Sequence, residues 1–187
     1  SGVKVASSSL RAMPGCPMDR LVVSHGPQGL DGNLLLRIRH GKGQIILCQL
    51  ELLSNLERTP SAGAFLQTMI RQLVPYPASV AEKIQVLPEN TSFEDFQRSL
   101  GDALTTQPSA TNIYRPAAQA KEDEIRSLLQ QGKTVWLHGM TPDDLSRFKN
   151  LLPEELKLTK ANVRQPQLIL SDEGKAALSD LTDGNLW

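Results

Sequence analysis

The sequence predicts a layered α/β fold with a largely parallel sheet and one antiparallel hairpin at its edge. Three observations lead there. A glycine-bounded pair of apolar segments spans 33–50, a strand, tight turn and capped helix follow one another over 133–152, and strand and helix patterns alternate between them. Alternation of this kind is the signature of βα units covering a sheet.

The hairpin is the first clear element. Leu34, Leu36 and Ile38 alternate with Leu35, Arg37 and Arg39, the period-two pattern of a strand. Ile45, Ile46, Leu47 and Leu50 form a nearly continuous apolar segment, as in a strand covered on both faces. Gly41-Lys42-Gly43 between them supplies the positive φ values of a tight reversal. Thr59-Pro60 then reads as a helix cap with proline at the first helical position. Phe65, Leu66, Met69, Ile70 and Leu73 recur at helical spacing behind it.

Pro75 and Pro77 open a linker over 75–82, and a short strand over 83–87 follows. Ser92 with Asp95 three residues later resembles a capping box, with Phe93, Phe96 and Leu100 as the helix's apolar stripe. Small and polar residues over 101–108 read as loop, and 111–114 reads as a strand stopped by Pro116. An amphipathic helix over 121–131 carries Ile125, Leu128 and Leu129, and Gly132 ends it. A strand over 133–138, a turn at Gly139-Met140 and a helix capped by Thr141, bearing Leu145, Phe148, Leu151 and Leu152, complete a βα unit. A short strand over 156–158 precedes mixed signals from 165 to the turn-rich end. The whole reads as one domain over 1–187, because each half alone has too few strands to bury both faces of a sheet. An internal boundary, if the chain has one, falls at 75–82.

Composition narrows the function. Hydrophobic residues make up 40% and charged residues 21% of the 187, which is ordinary globular usage. Twenty basic residues balance twenty acidic ones, so nothing gathers a phosphate backbone, and nucleic acid is not an expected partner. Aromatic residues are 4%, few platforms for stacking bases or sugar rings. The apolar runs are far shorter than a membrane span, and the chain opens on no basic-then-apolar signal segment. No membrane span is expected, and the compartment stays open.

No complete catalytic motif is present, and no catalytic residue, metal ligand set or cofactor is assigned. Cys48 lies at the end of an apolar strand, where a hydrolase could place a nucleophile with His25, His40 or His138 as its base. The following Gln49-Leu50-Glu51-Leu52 has no glycine for a nucleophile elbow, and a free cysteine in an apolar strand is ordinarily inert core. The three histidines lie in separate segments without ligand spacing. Gly26 to Gly32 is glycine-rich but lacks the lysine of a phosphate loop. Acidic clusters at Glu122/Asp123/Glu124, Asp143/Asp144 and Glu154/Glu155 sit at helix starts, where they complement the dipole. The ligand-binding candidates are His138, Gly139 and Thr141, in the turn after a strand, where α/β folds place ligands. Turn and cap chemistry explains Gly139 and Thr141 without a ligand and leaves His138 over.

The stretch from His40 to Leu50, with Pro60 and the helix through Leu73, resembles the final hairpin and helix of accessory domains in large bacterial glycoside hydrolases of the family-two and β-galactosidase-like type. The stretch from Gly132 to Thr141 and the closing Asp183-Gly184-Asn185-Leu186-Trp187 are similar to segments of the same proteins. The resemblance implies a flavodoxin-like α/β/α domain related to class I glutamine amidotransferases, with the nucleophile absent: His138-Gly139-Met140 has no cysteine elbow. It implies a non-catalytic role in structure, oligomerisation or the rim of a cleft, within a periplasmic or secreted parent. Its partners would be the parent's other domains, a second copy of itself, or carbohydrate. Two other functions compete with it: a thiol hydrolase of amidotransferase type using Cys48, and a small-ligand module at 138–141.

Overall fold

The computed structural model describes residues 4–11, 15–26, 29–55, 60–73, 84–86, 112–164 and 168–181. Strands β1 (Lys4–Arg11), β2 (Met18–Gly26), β3 (Gly29–His40) and β4 (Gly43–Cys48) come first. Helices α1 (Leu52–Asn55) and α2 (Pro60–Leu73) follow, then β5 (Ile84–Val86) and β6 (Asn112–Pro116). After a 3-10 turn at Ala117–Gln119 come α3 (Glu122–Gln130), β7 (Thr134–His138), α4 (Pro142–Arg147), β8 (Lys157–Arg164), β9 (Leu168–Leu170) and α5 (Asp172–Ala177).

These strands form one sheet of nine, ordered β5-β6-β7-β4-β3-β1-β8, with β2 paired to β3 and β9. Strands from both sides of residues 74–83 join it. The linker expected at 75–82, the cap at Thr59 and the helix expected after Ser92 lie outside the described residues.

Here the fold expectation is corrected. β4, β5, β6 and β7 are joined by three parallel pairings, while β1, β2, β3, β4, β8 and β9 are joined by five antiparallel ones. The sheet is mixed and mostly antiparallel, so neither a largely parallel sheet nor a flavodoxin-like fold describes it. The surplus comes from β1, β2, β8 and β9, none of which shows clean apolar alternation. The centre of β1 is Ser7-Ser8-Ser9, and its register against β8 shifts twice between Lys4 and Ser8. β2 shifts register against β3 around Val22 and again before Gly26, so its side chains do not keep a strict period of two. β8 is exposed along most of its length, as an edge strand rich in lysine should be.

Each face of the sheet carries a core. Ile46 and Cys48 share one with Phe65, Leu66, Met69 and Leu73 of α2, with Tyr114 and with Trp136. Ile45 and Leu47 point the other way, into a core with Ile125 and Leu129 of α3 and with Met140, Phe148 and Leu151. β4 is therefore buried on both faces, as its unbroken apolar run requires. Gly41 takes φ +59 in the hairpin turn and Gly132 takes φ +78 after α3, both in the left-handed region.

Candidate functional site

β4 is where the sheet changes direction, parallel to β7 on one side and antiparallel to β3 on the other. Chain crossing this junction leaves a crevice beyond the strand ends, the usual place for a ligand in sheets that contain parallel strands. A small cleft of about 170 Å³ lies there, lined by Ser7, Ser8, Gln49, Glu51, His138 and Gly139, with Leu50 and Met140 behind.

Backbone hydrogen bonds fix its walls. Gln49 N–H donates to the Leu34 carbonyl at 2.8 Å, Glu51 N–H to Val5 at 2.7 Å and Gly139 N–H to Cys48 at 3.0 Å. Side chains then converge across long sequence separations. Ser8 Oγ donates to Gln49 Oε1 at 3.1 Å, Gln49 Nε2 donates to the Met140 carbonyl at 3.3 Å, and Ser7 Oγ donates to Glu51 Oε1. Lys4 Nζ approaches Glu51 at 4.0 Å.

His138 is half-buried at the end of β7, and its ring stacks on Tyr114 with centroids 6.0 Å apart. Its Nε2 lies 2.9 Å from the Leu50 carbonyl, which can only accept, so Nε2 carries the proton and Nδ1 is left as an acceptor. Burial lowers the imidazole pKa below its ordinary 6.5, against smaller opposing effects of the Leu50 carbonyl and Glu51. The folded state therefore binds the proton less well than the unfolded chain does. Stability from this group is complete above about 6.5 and is lost as pH falls through that value towards the lower folded pKa. The expected result is that His138→Gln flattens the loss of stability between neutral and mildly acidic pH, measured by urea unfolding at several pH values. An unchanged pH profile would remove His138 as its source.

Gly139 takes φ +68 and forms the exposed turn of the cleft. Thr141 does not line the cleft. Its backbone N–H and hydroxyl both donate to Asp144 Oδ2, at 2.9 and 2.7 Å, and Asp144 N–H returns to Thr141 Oγ1 at 3.3 Å, a complete capping box at the start of α4. Asp144 is 1% exposed and also pairs with Arg147 at 2.9 Å. Two of the three residues singled out in the sequence thus belong to the cleft, and the third is spent on a helix end. Ser7, Ser8, Gln49 and Glu51 escape sequence reading because partners 41 and 44 residues apart share no local pattern.

The thiol-hydrolase expectation is corrected by the same geometry. Cys48 is the register partner of His138, so strand pairing does bring the two together. The thiol, however, is 0% exposed, and burial pushes its pKa to about 12, leaving no thiolate near neutrality. His138 Nε2 is spent on Leu50. Native protein should label with an aromatic disulfide reagent at half-buried Cys16, and at Cys48 only after denaturant is added. Rapid labelling of Cys48 in native protein would reopen the nucleophile.

Among the described residues, no group of three or more histidine, cysteine or acidic side chains is arranged to hold a metal ion. No described helix is long and apolar enough to cross a membrane.

No protein-family model matches the chain, and no curated protein matches it. Solved structures do. IMPa metallopeptidase from Pseudomonas aeruginosa matches with a TM-score of 0.55 at 14% identity, over 100% of this chain and 22% of that one. IMPa metallopeptidase in complex with T-antigen matches with a TM-score of 0.53 at 14% identity, over 87% of this chain and 20% of that one. IMPa from Pseudomonas aeruginosa in complex with an O-glycopeptide matches with a TM-score of 0.54 at 14% identity, over 98% of this chain and 22% of that one. These matches replace the expected kinship with accessory domains of glycoside hydrolases. The chain shares the fold of one part of a metallopeptidase, and it spans about a fifth of the length of the structures it resembles.

Proposed function

We propose that the chain is a non-catalytic module of a larger protein that acts on glycosylated polypeptide, and that the cleft beside His138 receives one sugar residue. The observation that carries this reading is the fold match along the full chain to one part of a peptidase whose solved structures include complexes with T-antigen and with an O-glycopeptide. The chemistry of the cleft supports it. Hydroxyls of Ser7 and Ser8, the Gln49 amide, the Glu51 carboxylate and the imidazole are the groups that recognise sugar hydroxyls, each of which both donates and accepts. The cleft's small volume suits a terminal residue over a long chain. The cleft's position beyond the strand ends keeps it accessible while the scaffold below holds it rigid.

The test is calorimetric titration of the chain with an O-glycopeptide carrying a neutral glycan and with the same peptide lacking it. Only the glycosylated peptide should bind, and Glu51→Gln should weaken it about ten-fold, the loss of one charge-assisted hydrogen bond. Equal binding of both peptides, or of neither, would sink the proposal.

A further inference from the structure

One end of the sheet order is β8, which pairs with β1 on one side and with no described strand on the other. It is exposed at every position but Leu158, Ala161 and Val163. An edge of this kind presents a row of backbone N–H and C=O groups to solvent, and the group that satisfies all of them in register is another extended polypeptide.

Charge narrows the choice of polypeptide. β1 and β8 together carry Lys4, Arg11, Lys157, Lys160 and Arg164 and no acidic residue, in a chain whose basic and acidic residues otherwise balance. Arg11 stands opposite Lys157 and Lys4 opposite Arg164, like charges across the ladder that an acidic neighbour would relieve. Among the described residues Lys157 and Lys160 make no ion pair, and both are exposed. The same charges disfavour a second copy of the chain, whose β8 would set lysine against lysine.

Register narrows it further. Pairing with β1 is regular from Lys157 to Lys160, opposite Arg11 to Ser8, and shifts beyond Lys160. The regular part of the edge is therefore bounded by the two lysines. Side chains alternate along a strand, so these two, three residues apart, stand on opposite faces of the sheet. An apolar cleft of about 450 Å³ adjoins the same end of the strand. Leu156, the residue before Lys157, lines it with Leu145, Leu152 and Pro153, and α4 packs on β8 beside it.

We infer that the β8 edge takes up an extended segment of a partner polypeptide with two acidic residues three apart, one beside Lys157 and one beside Lys160, and an apolar flank against the cleft at Leu156. The backbone edge selects a strand, the lysines select its charge, and their opposite faces select its spacing. The inference stands without the reading of the cleft beside His138.

The experiment is an NMR titration of the isotope-labelled chain with a short leucine-flanked peptide of valine and threonine that carries two glutamates three apart. Amide signals of β8 should shift and gain protection from hydrogen exchange, and binding should weaken as salt is raised. Prolines placed at alternate positions of the peptide keep its charge and remove ladder donors, and should cost at least about ten-fold in affinity. Moving the glutamates to two apart, which puts both on one face, should cost about five-fold. Lys157→Glu/Lys160→Glu should lose at least about ten-fold, and Lys157→Gln/Lys160→Gln, which adds no new charge, should weaken binding in the same direction. Both variants replace exposed side chains, and their unfolding midpoints are checked alongside. Shifts that spare β8, equal binding of the proline peptide, or equal binding by both lysine variants overturns the inference. A sulfated disaccharide that binds β8 as tightly, or self-association of the chain through β8, overturns the choice of an acidic strand, and indifference to glutamate spacing overturns the assigned register.

Discussion

Trp136→Ala is expected to lower the unfolding free energy by about 3–5 kcal/mol, a large part of the roughly 5–15 kcal/mol that holds a domain folded. Trp136 lies in the middle of β7, paired with Ile46 of β4 on one side and Tyr114 of β6 on the other. It is 1% exposed and belongs to the core that α2 covers with Phe65, Leu66 and Met69. Truncation would leave a cavity under that helix and at the centre of the parallel half of the sheet. Trp136→Phe should cost much less, about 1 kcal/mol, because the indole Nε1–H is buried without an acceptor and its removal also removes an unpaired donor. Urea unfolding of both variants checks the pair. A loss below about 1 kcal/mol for the alanine would contradict the burial assigned to β7.

Gly174→Ala is the second large effect, and here two principles give opposite signs. Gly174 sits inside α5, where alanine is favoured over glycine by about 1 kcal/mol of helix propensity. The added Cβ would fall 1.9 Å from the Leu21 carbonyl oxygen and 2.8 Å from its carbon, both backbone atoms of β2 that no rotamer can move. The helix is also tied down at its start. Ser171 N–H donates to the Leu21 carbonyl at 3.2 Å, and Ser171 Oγ donates to the Arg20 carbonyl. Packing should win, with a net loss of about 2–3 kcal/mol and a fall in Tm of about 5–10 °C. Thermal unfolding followed by circular dichroism would show it. A rise in Tm would mean that α5 does not lie against β2 as described.

The elements legible in the sequence are those whose signals are local and strong. The β3–β4 hairpin announced itself through Gly41 and the alternation before it. Pro60 marked the start of α2, Gly132 the end of α3, and Thr141 with Asp144 the start of α4, because proline, positive-φ glycine and a capping box each impose backbone geometry on their own neighbours. His138 and Gly139 could be found for the same reason, as a polar residue and a turn glycine immediately after an apolar strand.

What local pattern left open was decided between distant residues. The serine run of β1 carries no local strand pattern, and the strand exists because β3 and β8 take it up from either side. The bulged register of β2 and the exposed face of β8 hide their periodicity, and with those strands went the balance between parallel and antiparallel pairing. The cleft shows the same division, since Ser8 meets Gln49 and His138 meets Leu50 only once β1, β3, β4 and β7 are assembled in one sheet. The sequence by itself determined where β3, β4, α2, α3, β7 and α4 extend, coil and turn, because those choices rest on sterics and caps within a few residues. The tertiary structure alone decided strand order, the direction change at β4 and the company His138 keeps, because these depend on which apolar faces find one another across the chain.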